Sequence, residues 1–80
     1  MIKSILYIKS SYPKSVSKSI KKYSFFIDIQ RIVYLIKQEE SDWDMIIELV
    51  IKNEDDLQYI CKQITKKTGA LIDCKILSVR

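Results

Sequence analysis

The sequence predicts an α+β fold in which two helices cover one face of a four-stranded antiparallel sheet. Two segments alternate apolar and polar residues, as strands do, and two others repeat apolar residues at helical spacing. Each half of the chain has its elements in the order strand, helix, strand. A chain of 80 residues supports one hydrophobic core. We therefore expect one domain over residues 1–80.

The first half predicts a strand and a helix. The strand pattern runs from residue 2 to residue 9, and Ser4 is a small break in its apolar side. A helix is expected from Pro13, because proline suits the first turn, where its missing N–H costs nothing. Serines lower the propensity of this helix. Its narrow apolar stripe consists of Val16, Ile20 and Tyr23.

Residues 25–38 have an ambiguous pattern. Their apolar residues fit a strand interrupted by Arg31 about as well as they fit a helix. Since Phe, Ile, Val and Tyr outnumber the helix formers, we predict a strand, with room in its length for a bulge.

The second half of the chain has clearer signals for where its strands and its helix begin and end. A strand is predicted from an alternation whose apolar side comprises Trp43, Met45, Ile47, Leu49 and Ile51. Asn53 then provides an N-cap oxygen, and Asp56 stands three residues later as a short capping-box acid. The helix has an apolar stripe and ends before Gly69, a residue suited to the left-handed C′ position. The stripe consists of Leu57, Ile60, Cys61 and Ile64. Residues 70–79 predict the last strand.

This order of elements is that of the ferredoxin-like βαββαβ sandwich. Two helices cover one face of its sheet, which leaves Ile46 and Val50 on the other face without a cover from the chain itself. A partner chain is the natural cover. We therefore expect a homodimer, joined sheet against sheet or edge to edge.

Residues 42–79 resemble the effector-binding RAM domain, an ACT-like domain of the leucine-responsive regulator and AsnC family. The match comprises Asp42, Trp43 and Asp44 before the strand, Lys52 and Asn53 in the turn, the acidic helix start at 54–57, and Gly69 with Ala70. Ser41 replaces the family glycine, so a loop geometry that depends on glycine is not carried over. The chain begins directly on its first strand, without the helix-turn-helix of family regulators. The resemblance thus implies a stand-alone effector domain.

The same resemblance implies a small-molecule binding role linked to transcription regulation. It implies a homodimer, with further assembly into a ring, an amino acid or similar small effector, and a full-length regulator of the same family as partner. The ligand-binding candidates are Ser41, Asp42, Trp43 and Asp44. Backbone N–H groups of the loop could bind the carboxylate of an amino acid, and an aspartate could bind its α-ammonium group. The indole could form an apolar wall of the site. The alternative is a solvated turn with an aromatic that anchors the core.

Charge predicts a second function. The net charge is +4, with six lysines and no acid before Asp28, and eight of the ten acids within residues 39–56. A helix from Pro13 places four lysines on one face, where they could neutralise the phosphates of nucleic acid. These are Lys14, Lys18, Lys21 and Lys22. The alternative is a solvated lysine face, and the RNP glycines of RNA-recognition domains are missing.

Other classes are disfavoured. The chain has no histidine and one glycine, which argues against Ser-His or Cys-His catalysis and against a phosphate-binding loop, so we expect no enzyme activity and no cofactor. The acidic residues 39–44 lack calcium-loop spacing, so we expect no metal site. Cys61 and Cys74 are expected to be small buried apolar residues, and the sequence does not decide whether they form a disulfide.

Without a signal peptide or a membrane span in the sequence, we expect a cytoplasmic protein without a membrane partner.

Overall fold

The computed structural model describes residues 1–35 and 42–80. Within these ranges the elements are, in chain order, β1 (Ile2–Lys9), α1 (Pro13–Lys21), β2 (Ile27–Tyr34), β3 (Met45–Ile51), α2 (Glu54–Thr68) and β4 (Leu71–Val79). The strands form one sheet in the order β2-β3-β1-β4, and each neighbouring pair is antiparallel. The predicted ferredoxin-like α+β fold is confirmed.

The core lies between the two helices and the inner face of the sheet. In the central pair, Leu6 of β1 stands opposite Ile47 of β3, and both side chains are fully buried. The helices bury their predicted stripes on this layer, with Cys61 and Tyr23 packed at its margin. The buried helix residues are Val16, Ser17 and Ile20 from α1 and Leu57, Ile60 and Ile64 from α2.

The second helix has the ends that the sequence predicts. The side chain of Asn53 accepts a hydrogen bond of 2.9 Å from the Asp56 N–H, which satisfies one donor of the first turn. The Asp56 carboxylate accepts from the Asn53 side-chain amide, whereas a capping-box acid accepts from the N-cap N–H. Gly69 ends the helix at φ 74°, as expected for a left-handed cap.

The second strand is shorter than predicted. Phe25 and Phe26 precede it in a turn closed by hydrogen bonds from the N–H groups of Phe26 and Ile27 to Tyr23 O, so the predicted start was wrong. Residues 36–38 of the predicted strand lie outside the described residues. The pairing with β3 shifts register between Ile29 and Arg31, and this is the bulge for which the sequence left room.

The buried Ser4 has a local explanation. The pairing of β1 with β4 shifts register between Lys3 and Ser4. At this irregularity, the Ser4 hydroxyl donates a hydrogen bond of 2.8 Å to Lys75 O. The hydroxyl thus satisfies a carbonyl group beside the bulge, which is why a polar side chain is tolerated on the apolar side of β1.

The helices leave one face of the sheet open, and we call this the open face. Its middle is apolar and half-buried, with Ile5 and Tyr7 from β1 beside Ile46 and Val50 from β3. Charged side chains surround this patch, including Lys3, Arg31, Glu48, Asp73 and Lys75. Arg31 and Glu48 form an ion pair of 3.7 Å. Ile46 and Val50 therefore lie on the uncovered face, as predicted.

No helix in the described part of the chain is long and apolar enough to cross a membrane.

Candidate functional site

Asp44 joins the ends of three strands. Its N–H donates to Ile8 O at 2.8 Å, and its carbonyl accepts from the Leu35 N–H at 2.9 Å. Its carboxylate Oδ2 accepts from the Ser10 N–H at 2.8 Å. The residue directly before β3 thus satisfies backbone groups at the ends of both β1 and β2.

Trp43 lies on the open face. Its ring centroid is 5.9 Å from that of Tyr7, with 46° between the two planes, and Tyr7 stands opposite Ile46 on that face. The alternation in the sequence placed Trp43 with Met45 on the core side, which was wrong. Because the backbone bends at Asp44, the period of two does not extend past the start of β3.

A cation adjoins the same aromatic pair. The Lys75 ammonium group lies 5.3 Å from the centroid of the Tyr7 ring, within the range of a cation–π contact. Trp43, Tyr7 and Lys75 therefore form a continuous surface that leads from the loop at 42–44 onto the open face.

The four predicted ligand residues differ in what they can offer. Asp42 is exposed and Trp43 is half-buried, so a carboxylate and an aromatic wall are accessible. The N–H of Asp44 and one of its carboxylate oxygens are already used within the fold, which limits its predicted role toward an α-ammonium. Ser41 lies outside the described residues.

Three of the four predicted basic residues line one hollow. Lys14, Lys18 and Lys21 of α1 surround a depression of about 420 Å³ that Tyr34 of β2 also lines. Lys22 is the exposed C-cap residue of α1 and is not part of this lining. The structure therefore brings together three ammonium groups and holds the fourth at the end of the helix.

Hydroxyl groups support this hollow from within. The Ser17 hydroxyl donates to Lys14 O at 3.1 Å and lies 2.8 Å from the Tyr34 hydroxyl oxygen. Since Ser17 has a single hydroxyl proton, the Tyr34 hydroxyl is the donor in the second bond. This bond fixes α1 against β2 and holds the base of the hollow.

The two cysteines are free thiols. Cys61 is half-buried on α2, and burial, followed by the nearby Cys74, raises the pKa of its thiol to about 12. Cys74 lies 3.2 Å from the Ser4 hydroxyl, measured from Sγ to Oγ. A thiol with so high a pKa is a poor nucleophile at neutral pH. Both cysteines are half-buried, whereas the sequence predicted buried positions. In residues 1–35 and 42–80, no three Cys, Asp or Glu side chains are grouped so that they could hold a metal ion.

The sequence did not predict an aromatic cleft beside α2. This cleft of about 250 Å³ is lined by Tyr23, Phe26, Asp56, Tyr59 and Ile60. Its residues come from two segments that are about 30 positions apart and have no common motif. The one signal in the sequence was the adjacent pair Phe25 and Phe26, which was assigned to a strand.

Comparison with known proteins supports the fold. The chain is similar in structure to PH0061, whose crystal structure aligns with a TM-score of 0.56 at 18% identity, covering 99% of this chain and 53% of that chain. The chain thus spans about half the length of PH0061. No protein-family model and no curated protein sequence matches the chain.

Proposed function

We propose that this chain is a small-molecule effector-binding and oligomerisation module linked to transcription regulation, with an amino acid or a similar small molecule as its effector. The contact between Trp43 and Tyr7 carries this proposal, because it joins the candidate ligand loop to the open face. The likeness to PH0061, a protein of the Lrp/AsnC type, supports a regulatory domain in general terms.

The open face suits a second copy of the chain. Its apolar middle contains the half-buried residues Ile5, Ile46 and Val50, and a covering chain would remove their apolar surface from water. Both signs of charge surround it, with Lys3 and Lys75 as cations and Asp73 and Glu48 as anions. In a two-fold dimer the same patch meets itself, so mixed charges allow complementary pairs across the interface. This arrangement supports the proposed homodimer. Further assembly into a ring or with a full-length regulator is part of the same proposal and rests on the family resemblance.

The position of Trp43 couples ligand to assembly. A ligand held beside Asp42 would contact the indole, and the indole makes a tilted ring contact with Tyr7 within the proposed interface. An effector changes the assembly only when it binds one state more tightly than another, since equal affinity leaves the equilibrium where it was. A ligand that contacts the indole would meet this requirement by binding the dimer, in which the indole is covered, and the monomer with different affinities.

Tryptophan emission tests the ligand part of the proposal. Trp43 is the single tryptophan, so its emission during a titration with each standard amino acid reports on the loop and on the adjoining part of the open face. We expect a saturable shift with one or a few amino acids. Asp42→Asn should weaken that response, while Asp55→Asn, with the same charge change on α2, should not. Unchanged emission with all of them would contradict an amino-acid effector.

Light scattering at micromolar concentration tests the assembly part. We expect the mass of a dimer or of a larger assembly for the wild-type chain. Ile46→Lys places a charge in the middle of the open face and should yield a monomer with unchanged circular dichroism. Gln58→Lys, at an exposed position of α2, is the matched control and should leave the assembly intact. A monomeric wild-type protein would contradict the proposed interface.

The hollow on α1 supports a second candidate function, the binding of nucleic acid. Lys14, Lys18 and Lys21 surround one depression, and clustered ammonium groups gain affinity for phosphates by releasing counterions. Contacts of ammonium groups with phosphates carry no sequence information, so this binding would be independent of sequence.

A gel-retardation assay tests this second function. Neutralising Lys18, Lys21 and Lys22 together, each to Gln, should abolish retardation of duplex DNA at low salt. The control variant changes Lys62, Lys66 and Lys67, three exposed lysines of α2, and should retain it. Retardation that is unaltered in the first variant, or lost equally in both, would contradict binding through α1.

A further inference from the structure

We propose that the aromatic cleft beside α2 binds a small organic cation, with a guanidinium or ammonium group on a short alkyl stem. The cleft is lined by Tyr23, Phe26, Asp56, Tyr59 and Ile60. It is independent of the effector site proposed above. Phe26 of the cleft precedes Ile27, which pairs with Ile51 at the end of β3. The loop at 42–44 adjoins the start of that strand, so the seven residues of β3 separate the two sites. That is a distance of about 20 Å.

Aromatic rings form the walls of this cleft. Phe26 is 56% exposed and Tyr59 is 60% exposed, although Ile60 beside them is buried. Aromatic side chains that remain open to solvent at a concave site leave their rings free to contact a ligand. The faces of such rings carry negative charge density and attract cations that are only weakly hydrated. The walls thus favour an organic cation over a hydrated metal ion.

A carboxylate gives the cleft its charge preference. Asp56 is half-buried in the lining, and Oδ2 accepts a hydrogen bond from the Asn53 side-chain amide, which fixes the orientation of the group. Glu54 and Asp55 occupy the same helical turn. Three negative charges outweigh the roughly half positive charge at a helix N-terminus, so a cation is attracted to the site and an anion is repelled.

The size of the cleft restricts the ligand. At about 250 Å³, it is smaller than the roughly 300–1,000 Å³ of sites for drug-sized molecules. One alkyl guanidinium or alkyl ammonium group fits, with its stem against Ile60 and its charge toward Asp56. This chemistry occurs in free small cations and in the side chains of Arg and Lys, and the proposal is the free cation.

A two-dimensional ¹H–¹⁵N NMR titration tests this site. The probe is butylguanidinium, and butylurea is the matched neutral molecule of nearly the same shape. We expect saturable shifts of backbone amides at 23–27 and 54–60 with butylguanidinium, and at least ten-fold weaker binding of butylurea. Equal shifts with both molecules would overturn the cation preference, and shifts elsewhere, or none, would overturn the site.

A peptide distinguishes the two sources of the cation. A blocked tripeptide with a central arginine should bind no more tightly than butylguanidinium if the cleft takes a free cation, and its citrulline counterpart should bind at least ten-fold more weakly than the arginine peptide. Binding of the arginine peptide that is ten-fold tighter than that of butylguanidinium would overturn the free cation and identify a protein side chain as the ligand.

Matched variants separate the roles of the lining residues. Asp56→Asn keeps an acceptor for the Asn53 amide and should weaken butylguanidinium binding about ten-fold, while Asp55→Asn, with the same charge change outside the lining, should have a much smaller effect. Phe26→Leu should weaken it about five-fold by removing an aromatic face. Phe25→Leu, at a residue 97% exposed and outside the lining, should not. Equal effects within either pair would overturn the assigned contacts.

Discussion

The carboxylate of Asp44 accepts a 2.8 Å hydrogen bond from the backbone N–H of Ser10, and this bond joins the residue before β3 to the residue after β1. The N–H of Asp44 itself donates to Ile8 O. These bonds hold the loop that carries Trp43 against the edge of the core. The candidate ligand loop is thus positioned by the same residue that was expected to contact the ligand.

Replacing Asp44 should destabilise the fold. Asp44→Ala leaves the Ser10 N–H without its acceptor, and we expect a loss of about 1–2 kcal/mol in the free energy of unfolding. Asp44→Asn keeps an acceptor oxygen and should lose less. Urea unfolding measures both changes, with Asp42→Ala as the control at an exposed position of the same loop. Equal losses at the two positions would contradict the structural role of Asp44.

Trp43 and Tyr7 should be energetically coupled. A double-mutant cycle with Trp43→Leu and Tyr7→Leu, followed by circular dichroism in urea, isolates the contact between the rings from the other interactions of each residue. We expect a coupling of about 0.5–1.5 kcal/mol. In a second cycle, Ile64→Val replaces Tyr7→Leu and should show no coupling to Trp43→Leu, because Ile64 is buried on the helix side of the sheet. No coupling in the first cycle would contradict the contact between the two rings.

Elements with local causes could be predicted from the sequence. Asn53 caps α2 with its own side chain, and Gly69 ends it by a backbone conformation that favours glycine. Both signals act within a few residues of where they occur. The order of the elements and the uncovered face that contains Ile46 followed from such local patterns.

Features that depend on distant contacts could not be predicted in this way. The bend at Asp44, which places Trp43 on the open face, follows from hydrogen bonds to Ile8 and Ser10, more than 30 residues away. The aromatic cleft likewise joins Phe26 to Tyr59 only through the packing of the chain. Periodicity describes one segment at a time, so it could not reveal either arrangement.

Gly69 should resist replacement for reasons of backbone conformation alone. Its φ is +74°, and a Cβ added there would meet no atom within 4 Å. Gly69→Ala should therefore cost about 1–2 kcal/mol, the strain of an L-residue in the left-handed region, and Gly69→Asn should cost less. The urea midpoint should fall while its slope stays unchanged. A loss well above this range would indicate a steric clash that the structure excludes.

The Cys61 thiol should react slowly in the folded protein. Its pKa is raised to about 12, chiefly by burial, so little thiolate forms at pH 8. In the Cys74→Ala variant, where Cys61 is the remaining thiol, alkylation by iodoacetamide should be at least about 100-fold slower than in urea. In the Cys61→Ala variant, the same measurement gives the alkylation rate of Cys74 for comparison. Similar rates for Cys61 with and without urea would contradict its raised pKa.

The raised pKa of Cys61 makes the free energy of unfolding depend on pH in the alkaline range. The pKa of Cys61 rises from 9.0 to about 12 in the folded state, so the folded chain holds this proton more tightly than the unfolded chain does. Stability from this group is fully present below pH 9 and is lost as pH rises toward 12. We expect the wild-type protein to lose more stability between pH 8 and pH 11 than Cys61→Ala, a comparison in which the titration of lysines and tyrosines cancels. Urea unfolding at each pH measures this difference, and parallel curves for the two proteins would contradict the raised pKa.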